Sequence, residues 1–250
     1  MRKSYRELTE EIKTDGERLK LIAALGSSDD LAYHYALICE DWAAGGKLLL
    51  ENSFDRHGEA GIVFLLERLR AFGAASKTGT SSEENAAAGT ATDTAYLAAK
   101  ILSQLRHRDF YAARAKELAA LLTARWEISD IALRRKQIIA LGWIGSESEI
   151  NLLIDSMQSD SDALCRAWAA AALMQLSFHG VAADVLREKT KTAFAAAIQK
   201  EGDLNAAGIM IEAAQTLFGK KWISAAAAEA AESESIEKAR KSALRFLGKA

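Results

Sequence analysis

A block of about thirty-two residues occurs twice in succession, and it constrains the fold more than any other feature of the chain. Asp130-Ile131-Ala132-Leu133-Arg134 aligns with Asp162-Ala163-Leu164-Cys165-Arg166. Ala140-Leu141 then aligns with Ala172-Leu173, and Ile144 with Leu176. The segment ahead of each block aligns as well: Leu118, Leu121 and Leu122 against Ile150, Leu153 and Ile154. A fixed period of this length predicts stacked helical hairpins. One hairpin cannot bury its own apolar face, so the next must lie against it.

Composition supports long helices. Half of the 250 residues are hydrophobic, proline is absent, and aromatics make up 7%. Alanine, the strongest helix former, is abundant. No stretch alternates apolar and polar residues as a strand would. The formal net charge is -2, which argues against a general nucleic-acid binder with a strongly basic face. Cys39 and Cys165 stand far apart in helical patterns, so no disulfide framework is implied. The charged start, Met1-Arg2-Lys3-Ser4-Tyr5-Arg6-Glu7, does not read as a secretion signal. No stretch is long and apolar enough to span a membrane, and a soluble cytoplasmic protein is expected.

Helical spacing recurs along the chain. Leu19, Ile22 and Leu25 form a stripe ending at Gly26; Leu31, Tyr35, Ile38 and Trp42 form the next; Ile62, Leu66 and Leu69 form a third. From about residue 75 to 92 the chain is small, polar and Gly-containing, and this segment reads as a flexible loop between helices. Periodicity resumes with Leu97, Ile101 and Leu105, opened by Asp93. Helix pairs are then expected at 109–125 and 130–145, 147–158 and 162–178, 182–200 and 204–219, and 221–232 and 235–248.

The block from about 118 to 178 resembles the HEAT-repeat family. That family's pattern leads from a first helix through an Asp-containing turn to a second helix with an apolar residue and Arg, then Ala-Leu-Gly. Asp130, Leu133, Arg134, Ala140, Leu141 and Gly142 fit it. Asp162, Cys165, Arg166, Ala172 and Leu173 fit it too, with Met174 in place of the Gly. Arg18-Leu19-Lys20-Leu21-Ile22-Ala23-Ala24-Leu25-Gly26 looks like a degenerate copy, and the family's usual first-helix proline is missing. The resemblance implies an all-α, right-handed HEAT-like solenoid of about seven helical hairpins, running as one array through residues 1–250.

Few residues suggest chemistry. His34, His57, His107 and His179 include no pair at the spacing of a helical metal site, and neither Cys has a second Cys nearby. Gly45-Gly46-Lys47 is too short for a phosphate-binding loop. No catalytic residue, metal or cofactor is expected. Arg134 and Arg166 could form an exposed row of guanidinium groups. The resemblance implies instead that they bond turn acids, making Asp130, Arg134, Asp162 and Arg166 a structural ladder. Arg135, Trp143 and Trp168 fall on or beside successive second helices, and aromatic and Arg side chains together are what a protein-binding hot spot uses. The expected function is therefore a non-catalytic adaptor that binds another protein through a concave helical face. A bacterial toxin-immunity protein is one concrete form, resting on fold analogy. The alternatives are a nucleic-acid-binding or DNA-repair protein of HEAT-like fold, or an accessory of the HEAT-like lyase type.

Overall fold

The computed structural model describes residues 2–75 and 81–248, with side chains described at 2–71 and 89–248. The described residues contain α-helices and two short 3-10 turns, and no strand. In order the helices are α1 (Tyr5–Glu11), α2 (Asp15–Gly26), α3 (Leu31–Ala43), α4 (Gly58–Ala75), α5 (Ser81–Gln104), α6 (Tyr111–Thr123) and α7 (Ile131–Ile144). They continue as α8 (Ile150–Ser159), α9 (Ala163–Leu176), α10 (Ala183–Lys200), α11 (Leu204–Leu217), α12 (Ala225–Glu229) and α13 (Ser233–Leu247). The architecture is an all-α, HEAT-like solenoid.

The starts of these helices are written locally. Ser4, Thr14, Asp30 and Ser224 each cap a first turn through a side-chain oxygen. The caps of α7, α9 and α11 are equivalent aspartates. Asp130 accepts from the Leu133 N–H at 2.9 Å, Asp162 from Cys165 at 2.8 Å, and Asp203 from Ala206 at 2.8 Å. Each satisfies an amide that the helix itself leaves without a partner.

Burial then arranges the helices in two rows. The second helices α5, α7, α9, α11 and α13 pack side by side, and the first helices α4, α6, α8 and α10 back them. Among the described residues one hydrophobic core extends from Tyr5 to Leu247. Small residues set how closely the second helices approach. A Cβ added at Gly142 would lie 2.7 Å from the Ala172 Cα, so α7 and α9 touch almost backbone to backbone there. That contact gives the glycine of the Ala-Leu-Gly motif its physical reason.

Three expectations need correction. The segment at 75–92 is mostly helical: α4 ends at Ala75 and α5 starts at Ser81, while residues 76–80 lie outside the described residues. The absence of large apolar residues is no sign of a loop here, because small residues fit close helix packing. Ala91, Thr92, Thr94 and Ala95 are buried. The Thr94 hydroxyl donates to the Thr90 carbonyl at 2.7 Å and lies 2.5 Å from the Tyr35 hydroxyl. Asp93 accordingly sits within α5 and does not open it. Finally, the helix expected at 221–232 shortens to α12: the Trp222 and Ile223 N–H groups donate to the Gln215 side chain ahead of the Ser224 cap, and Ala231 takes positive φ just past the end.

The amino-terminal region is less regular. A 3-10 turn at Leu50–His57 packs against α2, α3, α4 and α5. Asp41, fully buried, organises the chain that leads into it. Its carboxylate accepts from the Tyr5 hydroxyl at 2.8 Å and from the backbone N–H groups of Leu48 and Leu50 at 2.9 and 3.2 Å. Burial, and then the bond to Asp41, push the Tyr5 phenol up to about 12. No helix among the described residues is long and apolar enough to cross a membrane.

Candidate protein-binding face

The turn acids and second-helix arginines form a repeating lattice. Arg134 donates through two nitrogens to the Asp160 carboxylate at 2.8 and 2.9 Å, and through a third to the Ile128 carbonyl at 2.8 Å. Arg166 repeats the pattern one helix pair later, with Glu201 at 2.8 and 2.9 Å and the Asp160 carbonyl at 2.8 Å. Each arginine thus ties its own turn to the next one. The acids are not the ones expected. The acceptor stands two residues before the capping Asp, where it also accepts that residue's backbone N–H: Asp162 on Asp160 at 2.9 Å, Asp203 on Glu201 at 3.0 Å. The motif acid-x-Asp marks this position at 160–162 and 201–203, and Ile128 replaces its first acid at 128–130. Asp130 is a cap alone and meets no arginine among the described residues.

Arg135 differs from its expected place as well. It donates to the Asp162 carboxylate at 3.0 and 2.9 Å, so it is a further tie between α7 and the α9 turn, not a free contact residue. The Arg135 guanidinium, followed by the Cys165 backbone N–H, holds the Asp162 carboxyl at about 2 against the upward push of burial.

The outward face of the second-helix row follows from register. Counting six residues on from the capping Asp gives Lys136, Trp168 and Ile209 on α7, α9 and α11. Nine residues on gives Ile139, Ala171 and Glu212; thirteen gives Trp143, Gln175 and Thr216. None of these nine is buried, whereas their helical neighbours largely are. Trp168 is 37% exposed, an unusual setting for an indole. Trp143 is partly buried and packs on Tyr96 of α5, with ring centroids 5.2 Å apart. Lys136 bonds Asp93 of α5. The face is therefore continuous from α5 to α11, and its centre is apolar. Ile209 and Ile139 escape sequence reasoning, although the offset from the capping Asp would have found them.

Other candidate chemistry is structural. Cys165 is buried, which pushes its thiol up to about 11, outside the range of a reactive thiolate. No group of three or more His, Cys, Asp and Glu side chains able to hold a metal occurs among the described residues. His34 and His57, distant in sequence, do meet: His34 Nδ1 lies 2.8 Å from His57 Nε2. His34 Nε2 lies 3.0 Å from the Leu50 carbonyl, which can only accept, so Nε2 carries the proton. Nδ1 then accepts from His57, and the pair pins the 3-10 turn to α3.

Residues 85–174, from α5 to the last turn of α9, match the sequence profile of HEAT repeats. This segment belongs to the HEAT-repeat family. HEAT repeats are commonly protein-interaction scaffolds. The matched stretch carries the Arg134 tie, Gly142, Trp143 and Trp168. None of the curated proteins and none of the solved structures matches the chain.

Proposed function

We propose that the chain is a non-catalytic adaptor that binds another protein through the outward face of its second-helix row. One observation carries the reading: the exposed indole of Trp168 stands between Lys136 and Ile209 at the same place in successive repeats. Such an indole offers much apolar area at low entropic cost, and charges at its edge supply orientation. The face is broad and continuous, as a macromolecular partner needs. The net charge of -2 favours a protein over a bare phosphate backbone. Neutralising a toxin within a bacterial cytoplasm is one form of this function, and it rests on fold likeness alone.

The test is Trp168→Ala combined with Ile209→Ser, assayed by calorimetry against a protein captured from the native host. Loss of a central hot spot should weaken binding about thirtyfold. Equal affinity in a folded double variant would move the binding face elsewhere. Steeply salt-dependent binding to unrelated DNA would favour a nucleic-acid function instead.

A further inference from the structure

Where the second-helix row meets the amino-terminal helices lies a cavity of about 160 Å³, lined by Trp42, Glu51, Asp93, Tyr96, Lys100 and Lys136. Trp42 comes from the last turn of α3, and Glu51 from the 3-10 turn. Asp93, Tyr96 and Lys100 follow at spacings of three and four on α5, which puts them on one helix face. Lys136 enters from α7. The cavity therefore lies on the same face as the Tyr96–Trp143 ring pair.

Its charges are unevenly matched. Lys136 and Asp93 bond each other. Glu51 is matched only by a long ion pair: the Lys100 ammonium stands 3.8 Å from its Oε1 and leans toward the Asn52 side-chain oxygen at 3.4 Å. Glu51 Oε2 is buried and accepts no hydrogen bond from a protein group among the described residues, and the side chain as a whole is only 15% exposed. A carboxylate oxygen shielded from solvent without a donor is costly, and a donor delivered by a ligand removes that cost. Trp42 and Tyr96 add aromatic surface, which attracts cations.

We propose that this cavity receives the guanidinium of an arginine side chain from the bound protein, with Glu51 as its acceptor and Lys100 displaced to solvent. The inference rests on the protein-binding reading above. A guanidinium presents two parallel N–H groups to two carboxylate oxygens and stacks on aromatic surface, which an ammonium cannot do. The volume suits it, since a cavity of about 150 Å³ holds a planar six-membered ring. Lys100 is a weak competitor because its contact is long and its flexible stem is one-third exposed.

The experiment titrates N-acetyl-arginine amide into the isotope-labelled full chain and follows the backbone resonances of α5 and the 3-10 turn by NMR. N-acetyl-citrulline amide is the uncharged control. Saturable shifts are expected with the arginine probe only. Glu51→Gln should weaken binding about tenfold or more, the scale of a charged hydrogen bond. Lys100→Ala should tighten it, because a competing cation is gone. Weaker binding in Lys100→Ala would mean a guest that also needs the ammonium, such as a zwitterion, and overturns the proposal. Glu51→Gln should leave the melting temperature unchanged or raised; a marked fall would make Glu51 a structural anchor, and also overturns it. Once a partner is captured, unaltered partner affinity in Glu51→Gln overturns this inference and leaves the scaffold reading standing. Unaltered affinity in the Trp168 and Ile209 variant sinks the scaffold reading itself.

Discussion

Arg166 reaches across a repeat boundary to Glu201 and meets both carboxylate oxygens, at 2.8 and 2.9 Å. The Glu201 side chain is 2% exposed, so removing the arginine would strand a charge that solvent cannot reach. Arg166→Ala should therefore cost about 2–4 kcal/mol of stability. Arg166→Lys should recover little, since one ammonium cannot serve a two-point carboxylate contact and the Asp160 carbonyl together. Denaturant unfolding measures both, and a loss below about 0.5 kcal/mol in Arg166→Ala, the size of an ordinary surface change, would remove the tie from the account of stability.

The same lattice sets the acid limb of stability. Burial pushes the Glu201 carboxyl up, but Arg166 and the Asp203 and Gly202 backbone N–H groups outweigh it and hold it below its ordinary value. Asp162 falls from 3.8 to about 2. Both groups are depressed in the folded chain. Their contribution is complete above the unfolded values and is lost as pH falls through the folded ones. For Asp162 the window runs from 3.8 down to about 2. The stability gap between the wild type and Arg135→Ala should hold steady near neutral pH and shrink within that window. A gap that stays constant to its lower end would contradict the assignment.

Near neutrality the His34–His57 pair acts in the same direction. Burial is the first cause that lowers both imidazoles, so the unfolded chain binds more protons as pH drops below the ordinary histidine value of 6.5. Stability is full above that value and declines as pH falls through the lower folded ones. His179, also lowered by burial, adds to the slope. His57→Gln keeps a donor for His34 Nδ1 and removes one titrating ring. Its melting temperature should fall less between pH 7.5 and about 5.5 than that of the wild type. Identical slopes would exclude His57 as a contributor.

Gly142→Ala sets helix propensity against packing. In an open helix the change gains about 1 kcal/mol. Here the new Cβ would stand 2.7 Å from the Ala172 Cα and 2.8 Å from its Cβ. The close α7–α9 contact should prevail, with a net loss of about 1–3 kcal/mol from overpacking. A stabilised variant in chemical denaturation would show that the two helices can separate at little cost.

Legibility in the sequence follows range. Asp130 and Asp162 announce helix starts because a cap bonds amides two or three residues away, and the recurring Asp-to-Arg interval exposes the hairpin period. The apolar stripes from Leu118 to Leu176 likewise reveal which faces are buried. Arg134 and Arg166 were recognisable as turn-bridging residues, but their acceptors were not, because Asp160 and Glu201 lie in the following helix pair. Arg135 read as a surface contact for the same reason: its partner Asp162 sits 27 positions away.

The sequence by itself determined an all-helical chain, the period of its central repeats and the caps, since these depend on residue type and short spacing, whereas the exposure of Trp168 came from the packing of the repeats. Tertiary structure alone decided the helical state of residues 81–92, whose small and polar composition reads as a loop, and the burial of Ala91 and Thr92 within it. It also decided which charges meet. Glu51, Lys100 and Lys136 share a cavity only because the 3-10 turn folds against α5, which itself packs on α7, and His34 finds His57 only because that turn returns to α3. Ion pairs and buried polar contacts form between whatever side chains packing brings within about 4 Å, and no periodicity in one dimension encodes that distance.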